Sequence, residues 1–316
     1  MDSLREMNPP AATTPKQRFD DYSPILNFAI WVLAGYATIF ISLRLWGKYH
    51  RGRRLWWDDY ILVASWMALI LGCIFQTVDT TLGFGRSHHG IYPENLETTR
   101  LLSTVAGFFL ILAAAWSKTS FAATLLRLAE TEEWLKKLVW FAIWTTNICI
   151  AGSCIIQWAH CWPLDRIWRQ EVPGGKCMPI SLMNGYNMFV AAYSGLMDIM
   201  LALLPCKLFW PLMMKRKEKI GITIAMGMGV FAGAASFMKI LAIHSVNRPN
   251  AGPGMNTPKV GPNTANISSE HVVVLMVLGT AESAITIVAV CMPVLRTLLM
   301  RESDHMLKSS LLSRIP

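Results

Sequence analysis

Long apolar runs alternate with short polar ones along the chain. Seven of the runs, at 25–43, 61–78, 101–127, 138–159, 182–210, 220–243 and 272–295, reach or approach the roughly 20 mostly apolar residues that a helix needs to cross a bilayer core. The first holds no charge before Arg44. The third is interrupted only by Lys118, the fifth carries Asp198, the sixth Lys239 and the seventh Glu282. All are too long for core strands, and a transmembrane barrel would show alternating segments of roughly 10 residues instead. A soluble bundle would leave a polar stripe on each helix, and almost none is present. The pattern predicts an all-α membrane protein, a seven-transmembrane helix bundle over residues 25–300. It is flanked by an N-terminal tail (1–24) and a C-terminal tail (301–316).

Composition sharpens this. Of the 316 residues, 53% are hydrophobic and only 16% charged, against about 25% charged in a typical soluble domain; mean hydropathy is +0.38. A soluble enzyme, a disordered chain and a collagen-like chain are all excluded. The net charge of +9 raises nucleic acid as a partner, but that needs basic residues gathered on a water-soluble face. Here they sit between apolar runs, so the partner they imply is the lipid bilayer, with an attraction to anionic headgroups.

The same charges set orientation through the positive-inside rule. Arg44, Lys48, Arg51, Arg53 and Arg54 follow the first run; Arg127, Lys136 and Lys137 the third; Lys207, Lys215, Arg216, Lys217 and Lys219 the fifth; Arg296, Arg301, Lys308 and Arg314 the seventh. The remaining connections and the N-terminal tail carry fewer. The N-terminus is predicted outside and the C-terminus in the cytosol. Residues 1–23, with Pro9, Pro10 and Pro15, lack the apolar core of a cleavable signal, so the first helix is predicted to be an uncleaved signal-anchor. The basic stretch Lys215–Lys219 reads as a headgroup anchor, with docking of a cytosolic signalling partner as the alternative.

Two features agree with this orientation. Asn266-Ile267-Ser268 is a glycosylation sequon in the predicted outer loop between the sixth and seventh helices. Cys161 and Cys177 lie in the predicted outer loop between the fourth and fifth. The loop between them is rich in turn residues, Pro163, Pro173 and Gly174-Gly175, and an oxidising compartment permits a disulfide there; two free thiols are the other reading. The other five cysteines lie in or near helices and read as small buried apolar residues.

Once these residues are set in order, the chain resembles the fungal rhodopsin-domain family of integral membrane proteins. Arg44-Leu45-Trp46 follows the first helix and Trp57-Asp58-Asp59-Tyr60 opens the second. Leu82-Gly83-Phe84-Gly85-Arg86-Ser87-His88 comes next, then Lys118-Thr119-Ser120 in the third helix and Leu126-Arg127 at its end. The loop from Cys161 to Cys177 precedes Asp198 and Leu204-Pro205, then Lys217. Glu282 and Met292-Pro293-Val294-Leu295-Arg296 close the seventh helix. The resemblance covers residues 25–300. The family includes receptor-like proteins linked to pathogenicity and a membrane protein from a satratoxin biosynthesis cluster. The chain departs from the pattern in places. The Gly83 to His88 stretch is one residue longer than usual, Lys239 stands where Arg is more usual, and Thr297 replaces a proline. A retinal protein of microbial type needs a Schiff-base lysine in the seventh helix, and none is there, so no cofactor is expected.

The remaining chemistry lies in the intramembrane charges, which are costly and as a rule face a partner. Counting residues along the helices at about 1.5 Å each puts Lys118 and Asp198 at similar depth, with Glu282 shallower. Lys118 is expected to join Asp198 or Glu282, as a packing clamp, as a switch or as catalytic acid and base. Lys239, near the outer end of its helix, is expected to reach Asp79 or Glu270. Asp58 and Asp59 suit a helix N-terminus beside Arg51, Arg53 and Arg54. His88, His89, His160, His244 and His271 gather near the outer side but lack helical metal-ligand spacing, so no metal is expected; His88 is a ligand candidate. Gly229 and Gly233 have the spacing of close helix packing, within the bundle or between protomers. No nucleophile elbow, phosphate loop or metalloprotease motif is present. The expected function is receptor-like sensing of an external or lipid-soluble small hydrophobic ligand, with an accessory protein or enzyme of secondary metabolism as the alternative. The plasma membrane is the expected location, an endomembrane the alternative.

Overall fold

The computed structural model describes residues 23–50, 52, 56–84, 96–128, 133–169, 174–209, 216–246, 272–292 and 295. Seven helices account for most of them: α1 (Ser23–His50), α2 (Trp57–Thr81), α3 (Leu96–Leu128), α4 (Glu133–Ala159), α5 (Ile180–Phe209), α6 (Arg216–Val246) and α7 (Val272–Met292). All seven are long and apolar enough to cross a membrane, which makes this an all-helical, multi-pass membrane protein.

The helices extend beyond the apolar runs, and α1 shows why. Its buried stripe, Leu26, Ile30, Ala34, Ala37, Ile41, Arg44 and Lys48, repeats every three or four residues, the period of one helix face. Arg44 and Lys48 stand in register with that stripe. They lie on the helix and point inward, although the charge pattern alone places them in a loop. The opposite face carries Phe28, Trp31, Val32, Tyr36, Ile39 and Trp46, all exposed. Large apolar side chains on the outside are what a bilayer solvates. They also explain why no polar stripe marks the core face.

Helix α2 packs along α3 and α1, α3 along α4, and α5 along α6, with lighter contacts from α5 to α3 and α4. Helix α7 is the most enclosed of the spans. From Ala284 to Cys291 its residues are buried apart from Ile285, on all sides of the helix. The α5–α6 contact is built on glycine. A Cβ at Gly233 would stand 2.9 Å from Ile199 Cγ1 and 3.1 Å from the Gly195 carbonyl, and one at Gly229 would collide with the Ala202 Cβ. The Gly229/Gly233 spacing therefore serves packing within the bundle. The end of α2 also needs glycine. Gly83 takes φ +111°, the Gly83 N–H returns to the Thr80 carbonyl and the Phe84 N–H to that of Asp79. This is a Schellman turn, with Phe84 folded back onto the core.

Between α4 and α5, Cys161–Trp162 (β1) and Lys176–Cys177 (β2) pair antiparallel with the two cysteines in register, and a disulfide joins them. Arg169 ties this loop to α3 through Glu97 at 3.1 Å.

Candidate functional site

Four helices meet at the intramembrane charges. Lys118 comes from the middle of α3, Asp198 and Ser194 from one turn of α5, Lys239 from α6 and Glu282 from α7. Lys118 Nζ donates to Glu282 Oε1 and to Ser194 Oγ. It lies 3.0 Å from Asp198 Oδ2. Ser194 Oγ bridges to Glu282 Oε1 at 2.7 Å. Lys239 Nζ takes the other oxygen, Glu282 Oε2. Two lysines thus balance two carboxylates, and a hydroxyl fills the gap between them. Lys118, Asp198 and Glu282 are all buried, while Lys239 keeps 18% side-chain exposure.

Lys118 meets both of its candidate acids rather than one. Lys239, by contrast, lies on Glu282, not on Asp79. Glu270, the other partner considered for it, lies outside the described residues. Position along the helices permits this: Lys239 is seven residues from the end of α6 and Glu282 ten from the start of α7, a gap a lysine side chain easily spans. Ser194 is absent from the sequence reading, though its place four residues before Asp198 puts it on the same face of α5.

A second cluster lies at the far end of α1. Arg44 is fully buried. Its NH2 lies 2.9 Å from Asp58 Oδ2 and 3.0 Å from Asp59 Oδ1, its Nε donates to Asp59 Oδ1 at 3.1 Å, and its NH1 donates to the Val290 carbonyl of α7 at 2.5 Å. Lys48 adds a 2.5 Å pair to Asp59. Ser120 donates to the Asp58 carbonyl at 2.8 Å, and Arg127 reaches Asp58 at 3.4 Å while stacking over Trp56. Asp59, at the third position of α2, also accepts the N-cap Trp56 N–H at 3.2 Å, the back-reaching half of a capping box. Among the described residues the cationic partners of these acids are Arg44, Lys48 and Arg127; Arg51, Arg53 and Arg54 lie outside the described residues. A cleft of about 430 Å³ opens beside this cluster, lined by Trp56, Trp57, Arg127, Lys136 and Trp140 among others.

His88 and Asn266 lie outside the described residues, as do residues 1–22 of the N-terminal tail and all of the C-terminal one. Among the described residues no group of three or more His, Cys, Asp or Glu side chains is placed to hold a metal. Residues 272–295 contain no lysine, and Lys118 and Lys239 both pair with Glu282.

Comparison with known proteins adds the following. The family profile described as "Fungal rhodopsin domain" matches residues 43–301. The chain is similar to "Fugralins biosynthesis cluster protein 2" of Gibberella zeae (strain ATCC MYA-4620 / CBS 123657 / FGSC 9075 / NRRL 31084 / PH-1), with 23% identity over 262 residues, 74% of this chain and 61% of that protein. The chain therefore spans less than two thirds of that relative's length. No solved structure matches it.

Proposed function

The chain belongs to the fungal rhodopsin domain family, and we propose that it is a receptor-like membrane protein that senses an external or lipid-soluble small hydrophobic ligand without retinal. The observation that carries this is Glu282, whose two oxygens are divided between Lys118 on α3 and Lys239 on α6. A buried carboxylate shared by two helices is a discrete contact that exists or does not. Such contacts give a bundle two packings rather than a continuum, which is what a ligand needs in order to shift a population. The α5–α6 pair is held together by its glycine contact, touches α3 and α4 more lightly and shares these charges with α3 and α7. It is the part we assign to move. In this reading the N-terminus is outside, Asn266 is glycosylated, the protein resides in the plasma membrane, and the basic start of α6 faces a cytosolic signalling partner.

A second reading makes the protein a membrane-bound accessory or enzyme of secondary metabolism. The relative named for a biosynthesis cluster favours it, and Lys118, Asp198 and Glu282 would then be its acid and base. Against catalysis stands the occupancy of Glu282, both of whose oxygens are already taken by lysines.

Metabolite profiling of a deletion strain, complemented with wild type or with Glu282→Gln, separates the two. Sensing is supported if whole sets of products shift together with no precursor building up. One missing product with one accumulating precursor, unrescued by a Glu282→Gln protein that reaches the membrane, overturns sensing and assigns chemistry or transport.

A further inference from the structure

The end of the bundle where α1 begins holds polar groups that neither cluster uses. Asp79 and Thr80 lie in the last turn of α2, and Gln76 lies one turn earlier on the same face. Asn27 of α1 donates to Thr80 Oγ1 at 2.8 Å, and Ser103 of α3 donates to one oxygen of Asp79. Thr99 sits one turn before Ser103. Three helices therefore converge here, and they bring polar atoms that have no partner. Asn27 Oδ1, both amide atoms of Gln76, Asp79 Oδ1 and Thr99 Oγ1 are buried without a hydrogen bond among the described residues. Gln76 and Asp79 are each only 1% exposed.

Buried polar atoms in a folded chain are almost always satisfied, by protein, water or ion. A buried carboxylate without a cation is a costly state, more so at membrane depth. Among the described residues the Asp79 carboxylate makes no ion pair, and its one hydrogen bond comes from the neutral Ser103 hydroxyl. The unpartnered atoms are nearly all oxygens: an amide carbonyl from Asn27, another from Gln76, a hydroxyl from Thr99 and the carboxylate of Asp79. Hard cations are held by oxygen sets of this kind. A divalent ion is favoured by several carboxylates, and this set contains one.

We propose that Asn27, Gln76, Asp79 and Thr99 form a site for a hard monovalent cation of the sodium class. Asp79 supplies the charge, and the Gln76 NH2 holds a water of the ion's shell. The site lies within two turns of the helix ends, so the ion enters from the adjoining aqueous face. It joins α1, α2 and α3 in a way that the protein's own hydrogen bonds leave incomplete.

The test is thermal unfolding of the purified full-length chain in detergent, followed by tryptophan fluorescence, in sodium chloride against choline chloride at equal ionic strength near about 0.15 M. An ion that binds only the folded state raises the midpoint. The expected result is a midpoint several degrees higher in sodium, with the difference abolished in Asp79→Asn and reduced in Gln76→Leu. Asp79→Asn keeps a group that can accept from Ser103, so it is expected to match or exceed wild type in choline. Sodium-23 line broadening by the wild-type protein, relieved by excess unlabelled lithium but not by choline, is the second readout and needs no variant. Equal midpoints in the two salts and no broadening overturn the proposal and leave a water cluster only. A sodium effect that persists in Asp79→Asn overturns it as well, because the ion then binds elsewhere.

Discussion

Replacing Glu282 with glutamine removes one charge and almost no volume. In the wild type, Lys118 and Lys239 face Asp198 and Glu282, and the buried set is neutral. Glu282→Gln leaves two lysines against one carboxylate. Breaking a buried ion pair by deleting one partner costs about 3–5 kcal/mol, because the remaining charge stays desolvated. Lys118 keeps Asp198 at 3.0 Å, and Lys239 is 18% exposed and can turn toward water or headgroups. The loss therefore falls at the low end, about 3 kcal/mol. At roughly 2–4 °C per kcal/mol for a chain of a few hundred residues, the unfolding midpoint in detergent drops by roughly 6–12 °C. Lys118→Met falls further, since it leaves Asp198 and Glu282 close together with only Lys239 between them and solvent. Lys239→Met falls least. The combination Lys239→Met with Glu282→Gln returns the set to neutrality, and its midpoint lies above that of Glu282→Gln alone. Midpoints from tryptophan fluorescence for these variants form a double-mutant cycle. If Glu282→Gln unfolds within roughly 2 °C of wild type, or if the double variant loses the sum of the single losses, then charge balance is not what holds α3, α6 and α7 together.

Further outcomes follow from the other contacts. Arg44→Lys does not rescue the loss seen in Arg44→Leu, because an ammonium cannot reach Asp58, Asp59 and the Val290 carbonyl together as the guanidinium fork does; both are expected to lower the yield of monodisperse protein in gel filtration, Leu by the larger factor. Gly233→Leu breaks the α5–α6 contact and costs more than the about 1–3 kcal/mol of ordinary overpacking, since the obstruction includes the Gly195 backbone, whereas Gly227→Leu, where an added Cβ meets nothing within 4 Å, is tolerated in the same midpoint measurement. Cys161→Ser opens a 16-residue separation and lowers stability by about 3 kcal/mol, with Cys161→Ser/Cys177→Ser no worse than the single change; intact-mass measurement after alkylation reads the bond directly.

How much of this was legible in the sequence depends on which dimension of a helix is asked for. The seven spans were legible because lipid accepts apolar side chains on the outer face as readily as the core does on the inner one. For the same reason the rotation of each helix was not. Lys118, Asp198 and Glu282 could be placed at neighbouring depths by counting residues, but Lys239's partner depends on which way α6 turns, and depth alone pointed to Asp79 or Glu270. Arg44 and Lys48 read as loop residues because charges ordinarily mark the end of an apolar run. Their register with Leu26, Ile30, Ala34, Ala37 and Ile41 was the signal that they continue it. Gln76 and Ser194 are uncharged and short runs of sequence do not mark them. Only the meeting of helices shows one as unsatisfied and the other as a bridge.

Helix α7 explains why the two ion clusters are not independent devices. Glu282 and Val290 stand eight residues apart on it, about 12 Å at 1.5 Å per residue. The first is gripped by α3 and α6, the second by Arg44 of α1. The residues between are buried on nearly every side, so α7 cannot slide without emptying packed space. Arg44 donates to the Val290 carbonyl while also neutralising Asp58 and Asp59. The fixed unit is therefore α1, α2, α3 and α7, tied at one end by a guanidinium that satisfies two acids and a carbonyl. Lys118–Asp198 and Lys239–Glu282 are the ion pairs that join the α5–α6 pair to α3 and α7, so a change in the packing of α5 and α6 against those helices has these two contacts to act on.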